Sequence, residues 1–137
     1  MSQSNVLQSS PYTDKVIGFA GPTPLEITLD ASGRISNVKL LPNKDTPQYL
    51  QIAIDGGLLK AWNGLTTKEA LAKQVDAVTG ATFSSRGIIN TMHKRLEVYE
   101  AQRSSSNTTL AVFSIGLIAV LMTGFFLLRR KKKRSLS

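Results

Sequence analysis

LEITLDASGRISNVKLL, residues 25–41, is the stretch that decides the fold. Leu25, Ile27 and Leu29 alternate with Glu26, Thr28 and Asp30, the period-two pattern of a strand with one buried face. Ala31-Ser32-Gly33 then supplies a tight turn, with glycine where a positive φ is wanted. Arg34–Leu41 continues as a second strand through Ile35, Val38 and Leu40, with a change of face near Asn37. Strands joined this closely pair antiparallel. Upstream, Lys15–Ala20 is expected as a further strand, separated from Leu25 by the breaker Gly21-Pro22-Thr23-Pro24. Residues 1–11 are polar and Ser/Gln-rich, and read as a disordered N-terminal segment.

Downstream the periodicity becomes helical. Thr46-Pro47 resembles an N-cap followed by proline at the first helical position, leading into a helix over Gln48–Leu59 that Gly56-Gly57 weakens at its end. Thr66 or Thr67 can cap a short helix over Lys68–Gln74, with Ala70 and Leu71 facing inward. A last helix is expected from about Ser85 to Gln102, since Ile88, Ile89, Met92, Leu96 and Tyr99 fall on one stripe. Strands followed by helices give an α+β domain over residues 12–103: a small antiparallel sheet with helices packed on one face.

Beyond a polar linker, residues 104–109, the run LAVFSIGLIAVLMTGFFLL occupies residues 110–128 without a charge. Its 19 residues reach about 28 Å as a helix, close to the thickness of a bilayer core. A core helix this apolar on every face needs a much larger protein around it, so a C-terminal transmembrane helix is expected. Gly116 and Gly124 are not spaced for a GxxxG contact.

The chain has 137 residues and a net charge of +8, with 17 basic and 9 acidic side chains. Six of the basic residues form one run, Arg129–Arg134, so the folded part is close to neutral and a nucleic-acid surface is not expected. A nuclear-import patch or a lipid-binding patch would use the same charges. Directly after a hydrophobic span, a topology signal is the plainer reading, and it places the tail, residues 129–137, in the cytoplasm and the domain outside. The N-terminus has no positively charged start and no apolar stretch of signal-peptide length. An outward-facing domain then requires either an export signal upstream or translocation led by the C-terminal helix; a cytosolic domain with the tail outside is the third option, which the basic run argues against. The absence of cysteine excludes disulfides and thiolate-held metals or iron–sulfur clusters. The single histidine, His93, makes a His-based metal site or a Ser-His-Asp triad hard to build and receives no role. Redox chemistry in this chain must come from an organic cofactor.

The segment that carries chemistry is Val75–Ser85, VDAVTGATFSS. It is a loop of small residues that delivers hydroxyls to the start of a helix. Ser84 or Ser85 is a good N-cap, and the free amides of the helix that follows favour an anion such as phosphate. Gly80 and Ala81 leave space beside Thr82. Arg86 can pair with an anion in the first turn, and Asp76 can orient the loop. A loop and a helix cap with no ligand explains the same residues, and no lysine follows the glycine as in a P-loop.

Asp76-Ala77-Val78-Thr79-Gly80-Ala81-Thr82-Phe83-Ser84 resembles the flavinylation motif of the FMN-binding domain family, whose members include the C subunit of the sodium-pumping NADH:quinone oxidoreductase and the G subunit of the Rnf complex. Every defined position of that motif is matched. Gly18-Phe19-Ala20-Gly21-Pro22 resembles the family's early Gly-aromatic-x-Gly stretch, and Asp45-Thr46-Pro47 its Glu-Thr-Pro, with Asp in place of Glu. The resemblance runs from about Tyr12 to Tyr99. It implies that a flavin transferase using FAD joins FMN through its phosphate to the hydroxyl of Thr82. Asp76, Thr79, Gly80, Ala81, Phe83 and Ser84 of the motif, with Ser85 and Arg86 from the helix start, are the residues expected around the cofactor. Trp62, Tyr49 or Phe83 can stack on the flavin. The function expected is an electron carrier held at the bilayer between membrane redox partners rather than a stand-alone enzyme. The alternative is a non-redox, membrane-anchored binding or adaptor domain with an unused motif.

Overall fold

The computed structural model describes residues 5–106, and residues up to Glu100 form one compact unit. Its sheet has three antiparallel strands in the order β1 (Asn5–Gln8), β2 (Leu25–Leu29) and β3 (Ile35–Leu40). The hairpin forms as its pattern requires, with Leu25, Ile27 and Leu29 buried and Glu26 and Thr28 half-covered on the other face. The Asp30 carboxylate organises the turn. It accepts hydrogen bonds from the Ser32 and Arg34 amides at 2.9 and 3.0 Å and from the Ser32 hydroxyl at 2.7 Å. The Ser32 hydroxyl is the main reason the Asp30 carboxyl lies below its ordinary pKa. The change of face near Asn37 is a β-bulge: Thr28 pairs with Asn37 but Leu29 with Ile35, which leaves Ser36 as the extra residue.

The third strand lies elsewhere than the sequence pattern places it. Lys15–Ala20 is not a strand; it turns back on itself through one bridge, Ile17 to Pro22, and a bond from the Gly18 amide to the Gly21 carbonyl at 2.8 Å. Ile17 and Phe19, which alternate as strand residues do, are 61% and 53% exposed, while Gly18 between them packs against Thr23 and Asp45. The strand that completes the sheet is β1, within the segment read as disordered. Only Leu7 of β1 is buried, opposite Ile27, so a four-residue strand with one inward hydrophobe leaves almost no periodic signal.

The helices cover the apolar face of the sheet. α1 (Pro47–Asp55) ends before the expected Leu59, and a 3-10 turn over Leu58–Lys60 follows Gly57, which takes φ +82°. α2 (Thr67–Ala72) is capped by Thr66, whose hydroxyl accepts from the Glu69 amide at 3.2 Å and donates to the Glu69 carboxylate at 3.1 Å. Thr66→Ala is expected to lower stability by about 1 kcal/mol, read as a fall in denaturant midpoint with unchanged slope. α3 begins at residue 82, three positions before the expected start, and residues 101–106 are helical too, past the expected end at Gln102 and into the segment read as a linker.

The core joins both layers. Leu25, Ile27, Leu29, Ile35 and Val38 from the sheet meet Leu50 and Ala53 of α1, Ala70 of α2, and Ile88, Met92 and Leu96 of α3. Ile88, Met92 and Leu96 follow one another at four-residue spacing, the stripe read from the sequence, with Ile89 and Tyr99 half-buried at its edges. This α+β unit matches the expected class. Among the described residues no helix is long and apolar enough to cross a membrane. The expected transmembrane segment, residues 110–128, and the basic tail lie outside the described residues.

Candidate functional site

The start of α3 is built without a capping side chain. Ala81 stands at the N-cap position: its amide donates to the Val78 carbonyl at 3.0 Å, and its carbonyl accepts from the Ser85 amide at 2.9 Å. Gly80 before it takes φ +89°, the left-handed region that glycine enters without strain. Neither Ser84 nor Ser85 is the N-cap, contrary to the sequence reading. Both lie within the first turn, buried and turned inward. The Ser84 hydroxyl donates to Asp45 at 2.8 Å, and the Ser85 hydroxyl accepts from the Val78 amide at 3.1 Å. The amides of Thr82, Phe83 and Ser84 therefore find no acceptor among the described residues. Those amides, with the positive end of the helix dipole, suit an anion.

Beside this helix end lies a cleft of about 290 Å³. Gly80, Ala81, Thr82, Phe83 and Ser84 form one wall, and Phe19 and Tyr49 form the other. The Phe19 and Tyr49 rings meet edge to face at 5.0 Å between centroids, and Phe19 and Phe83 lie tilted at 6.0 Å. Phe83 is 63% exposed and Phe19 53%, so two aromatic side chains stand open to solvent at the mouth of the cleft. Exposed aromatic rings in a group of this kind mark a binding surface more often than packing.

The sequence-derived candidates separate cleanly. Gly80, Ala81, Thr82, Phe83 and Ser84 line the cleft, and Tyr49 does so among the proposed stacking residues. Trp62 does not stack there: it is wholly buried in the core. Asp76, Thr79 and Arg86 are exposed and outside the lining, and Ser85 is spent on the Val78 amide. Phe19 was not among the stacking candidates. Its signal was the outward alternation of Ile17 and Phe19 around an inward glycine, which reads equally well as a strand.

Asp45 is the other residue whose part was hidden. It is 3% exposed and ties three segments together. Its carboxylate accepts from the Ala20 amide at 2.5 Å and from the Ser84 hydroxyl at 2.8 Å, and it stands one residue before Thr46, the N-cap of α1. Burial alone would raise its pKa. The bonds from Ala20 and Ser84, with those from the Thr46 and Phe19 amides, outweigh that and hold the carboxyl below its usual 3.8. A carboxyl lowered in the native state stabilises the fold fully above its unfolded pKa, and that contribution is lost as pH falls through the native value. The stability gap between the natural chain and Asp45→Asn is therefore expected to stay constant near neutral pH and to narrow below about pH 3.8. Denaturant melts across that range check it.

Residues 18–97, more than half of the chain, match the FMN-binding domain. The chain belongs to the FMN-binding domain family. The match starts at Gly18, at the aromatic wall of the cleft, and runs through most of α3. Over 113 residues the chain is also 29% identical to the G subunit of the ion-translocating oxidoreductase complex of Stutzerimonas stutzeri, covering 74% of this chain and 49% of that protein. The chain thus spans about half the length of this curated relative. No solved structure matches it.

The residues at the cleft fit FMN. Phe19, Tyr49 and Phe83 offer apolar ring surface to a flat aromatic ring system. Gly80 leaves space, since a Cβ there would meet only Ile52, at 3.9 Å. The uncapped amides suit a phosphate. Ligand sites commonly measure about 300–1,000 Å³. A cleft of about 290 Å³ would hold part of such a molecule.

Proposed function

We propose that Thr82 carries FMN through a phosphodiester, and that the domain relays electrons between membrane redox partners. The observation that supports Thr82 is its position among the four hydroxyls of the loop. Thr79 is exposed but outside the cleft; Ser84 lines the cleft but is buried and bonded to Asp45; Ser85 is buried and bonded to the Val78 amide. Thr82 alone of the four is both exposed and in the cleft wall. In the reaction with FAD, the Thr82 oxygen would form the new bond to the FMN phosphorus as the pyrophosphate bond of FAD breaks, with AMP leaving and the hydroxyl proton released to solvent. A flavin transferase is the partner for that step.

When bound, FMN supplies reversible one- and two-electron chemistry. The chain's own residues do the rest. Phe19, Tyr49 and Phe83 would offer ring surface to the flavin, the Thr82–Ser84 amides would hold the phosphate, and Arg86, exposed early in α3, would be available to pair with it. Membership in the family and likeness to a subunit of an ion-translocating oxidoreductase complex support electron transport as the role. The apolar run over residues 110–128 supports a single-pass anchor in the bilayer, with the domain outside and the basic tail in the cytoplasm.

The test is peptide mass spectrometry of the full chain made in cells that hold an active flavin transferase. An FMN-sized addition on the peptide spanning Thr82 is the expected result. An unmodified peptide, while a known acceptor in the same cells is flavinylated, would refute the attachment.

A further inference from the structure

Asp45 is not in the lining of the cleft but bonds to the segments that form its two walls. One wall is the turn that carries Phe19, and the other is the first turn of α3 that carries Thr82 and Phe83. The same carboxylate grips both, accepting from the Ala20 amide with one oxygen and from the Ser84 hydroxyl with the other. The packing leaves no slack around it. A Cβ on Gly18 would stand 2.6 Å from the Asp45 carboxylate, and a Cβ on Gly87 would stand 2.5 Å from the Gly18 Cα. Both glycines are needed for the turn, the carboxylate and the helix to come this close.

We infer that Asp45 is a positioning residue that couples the two walls, so that loosening the helix side releases the Phe19 side. The inference deepens the FMN reading but rests on geometry that exists without the cofactor. The bond uses up Ser84 and turns it inward, which leaves Thr82 as the hydroxyl presented to the cleft. The groups that hold the carboxylate ionised are amides and one hydroxyl. A carboxylate bonded in this way is strongly held, because hydrogen bonds to charged groups are about twice as strong as neutral ones. Removing one donor leaves it buried and under-satisfied.

The experiment is amide hydrogen exchange on the full chain without flavin, comparing the natural sequence with Ser84→Ala, Asp45→Asn and the double variant. Ser84→Ala is expected to speed exchange of the Ala20 amide, 64 residues away in sequence, by on the order of tenfold, the effect of about 1.4 kcal/mol. Core amides of Ile27 and Ile88 serve as the reference for global opening. The double variant is expected to exchange at Ala20 no faster than Asp45→Asn alone, because both substitutions remove the same link. Ser85→Ala, at an equally buried neighbour bonded elsewhere, is expected to leave Ala20 unchanged relative to the core. Ala20 exchange that follows the core amides in every variant would overturn the coupling.

A second readout separates this inference from the attachment itself. With flavin transferase and FAD, Asp45→Asn is expected to lower kcat/KM for modification of Thr82 about tenfold, with Asp45→Glu recovering part of it. If the natural chain takes no FMN, the attachment fails and the exchange data still judge the coupling. If Asp45→Asn is modified at the natural rate, the positioning role is overturned.

Discussion

Thr82→Ala, made beside an active flavin transferase, is expected to emerge without covalent flavin, while Thr82→Ser retains it. The loss should be complete rather than partial, because no other hydroxyl of the loop is both exposed and in the cleft wall. Ser84 would have to abandon Asp45, and Ser85 would have to release the Val78 amide, before either could serve. Stability should hardly change. Thr82 is exposed, and its hydroxyl makes no hydrogen bond among the described residues, so the expected effect lies within about 0.5 kcal/mol. Flavin absorbance after denaturing filtration, together with a denaturant melt, measures both quantities. Flavin retained on Thr79 or Ser84 would show that the selection lies in the transferase and not in this helix end.

Gly87→Ala is expected to have the largest effect on the fold itself. Alanine is the better helix former by about 0.8–1.0 kcal/mol, so an exposed site would gain from the change. Gly87 is buried in α3, and a Cβ there would lie 2.5 Å from the Gly18 Cα and 2.9 Å from its nitrogen. The opposing atoms are backbone, which cannot turn aside as a flexible side chain can. Overpacking of this kind costs about 1–3 kcal/mol, and the shift must also move Gly18 away from Asp45. The net result is a lower denaturant midpoint and a cleft whose Phe19 wall is displaced. A stabilised Gly87→Ala protein would mean that the turn over residues 18–21 yields easily.

The elements legible in the sequence were those with one continuous apolar face. β2, β3 and the stripe of α3 leave a periodic mark, because each buries residues at a fixed spacing; the bulge near Asn37 shows as a break in that spacing, and the cap at Thr66 or Thr67 as a local preference for a hydroxyl before a helix. β1 did not, since a single inward leucine, Leu7, completes the sheet. Lys15–Ala20 misled for the opposite reason: its alternation is real but inverted, with the hydrophobes outside and the glycine inside. At the site, local spacing pointed to a loop that delivers hydroxyls to a helix start, and the resemblance to the flavinylation motif singled out Thr82 within it. The partner of Ser84 was hidden, because Asp45 is 39 residues from Ser84 and spacing carries no information about such contacts. Expecting a serine cap was sound as a local preference; a tertiary bond overrode it.

The missing cap at Ala81 has a thermodynamic consequence. A side-chain cap is worth about 1 kcal/mol to a helix, and here that contribution is left vacant in the bare chain. A phosphodiester on Thr82 would fill the vacancy from within the same molecule. Such a cap acts at an effective concentration fixed by its tether, and no dilution can remove it. Cofactor loading would then be a maturation step for the fold as well as for its chemistry, with the loaded domain melting higher than the bare one at any protein concentration.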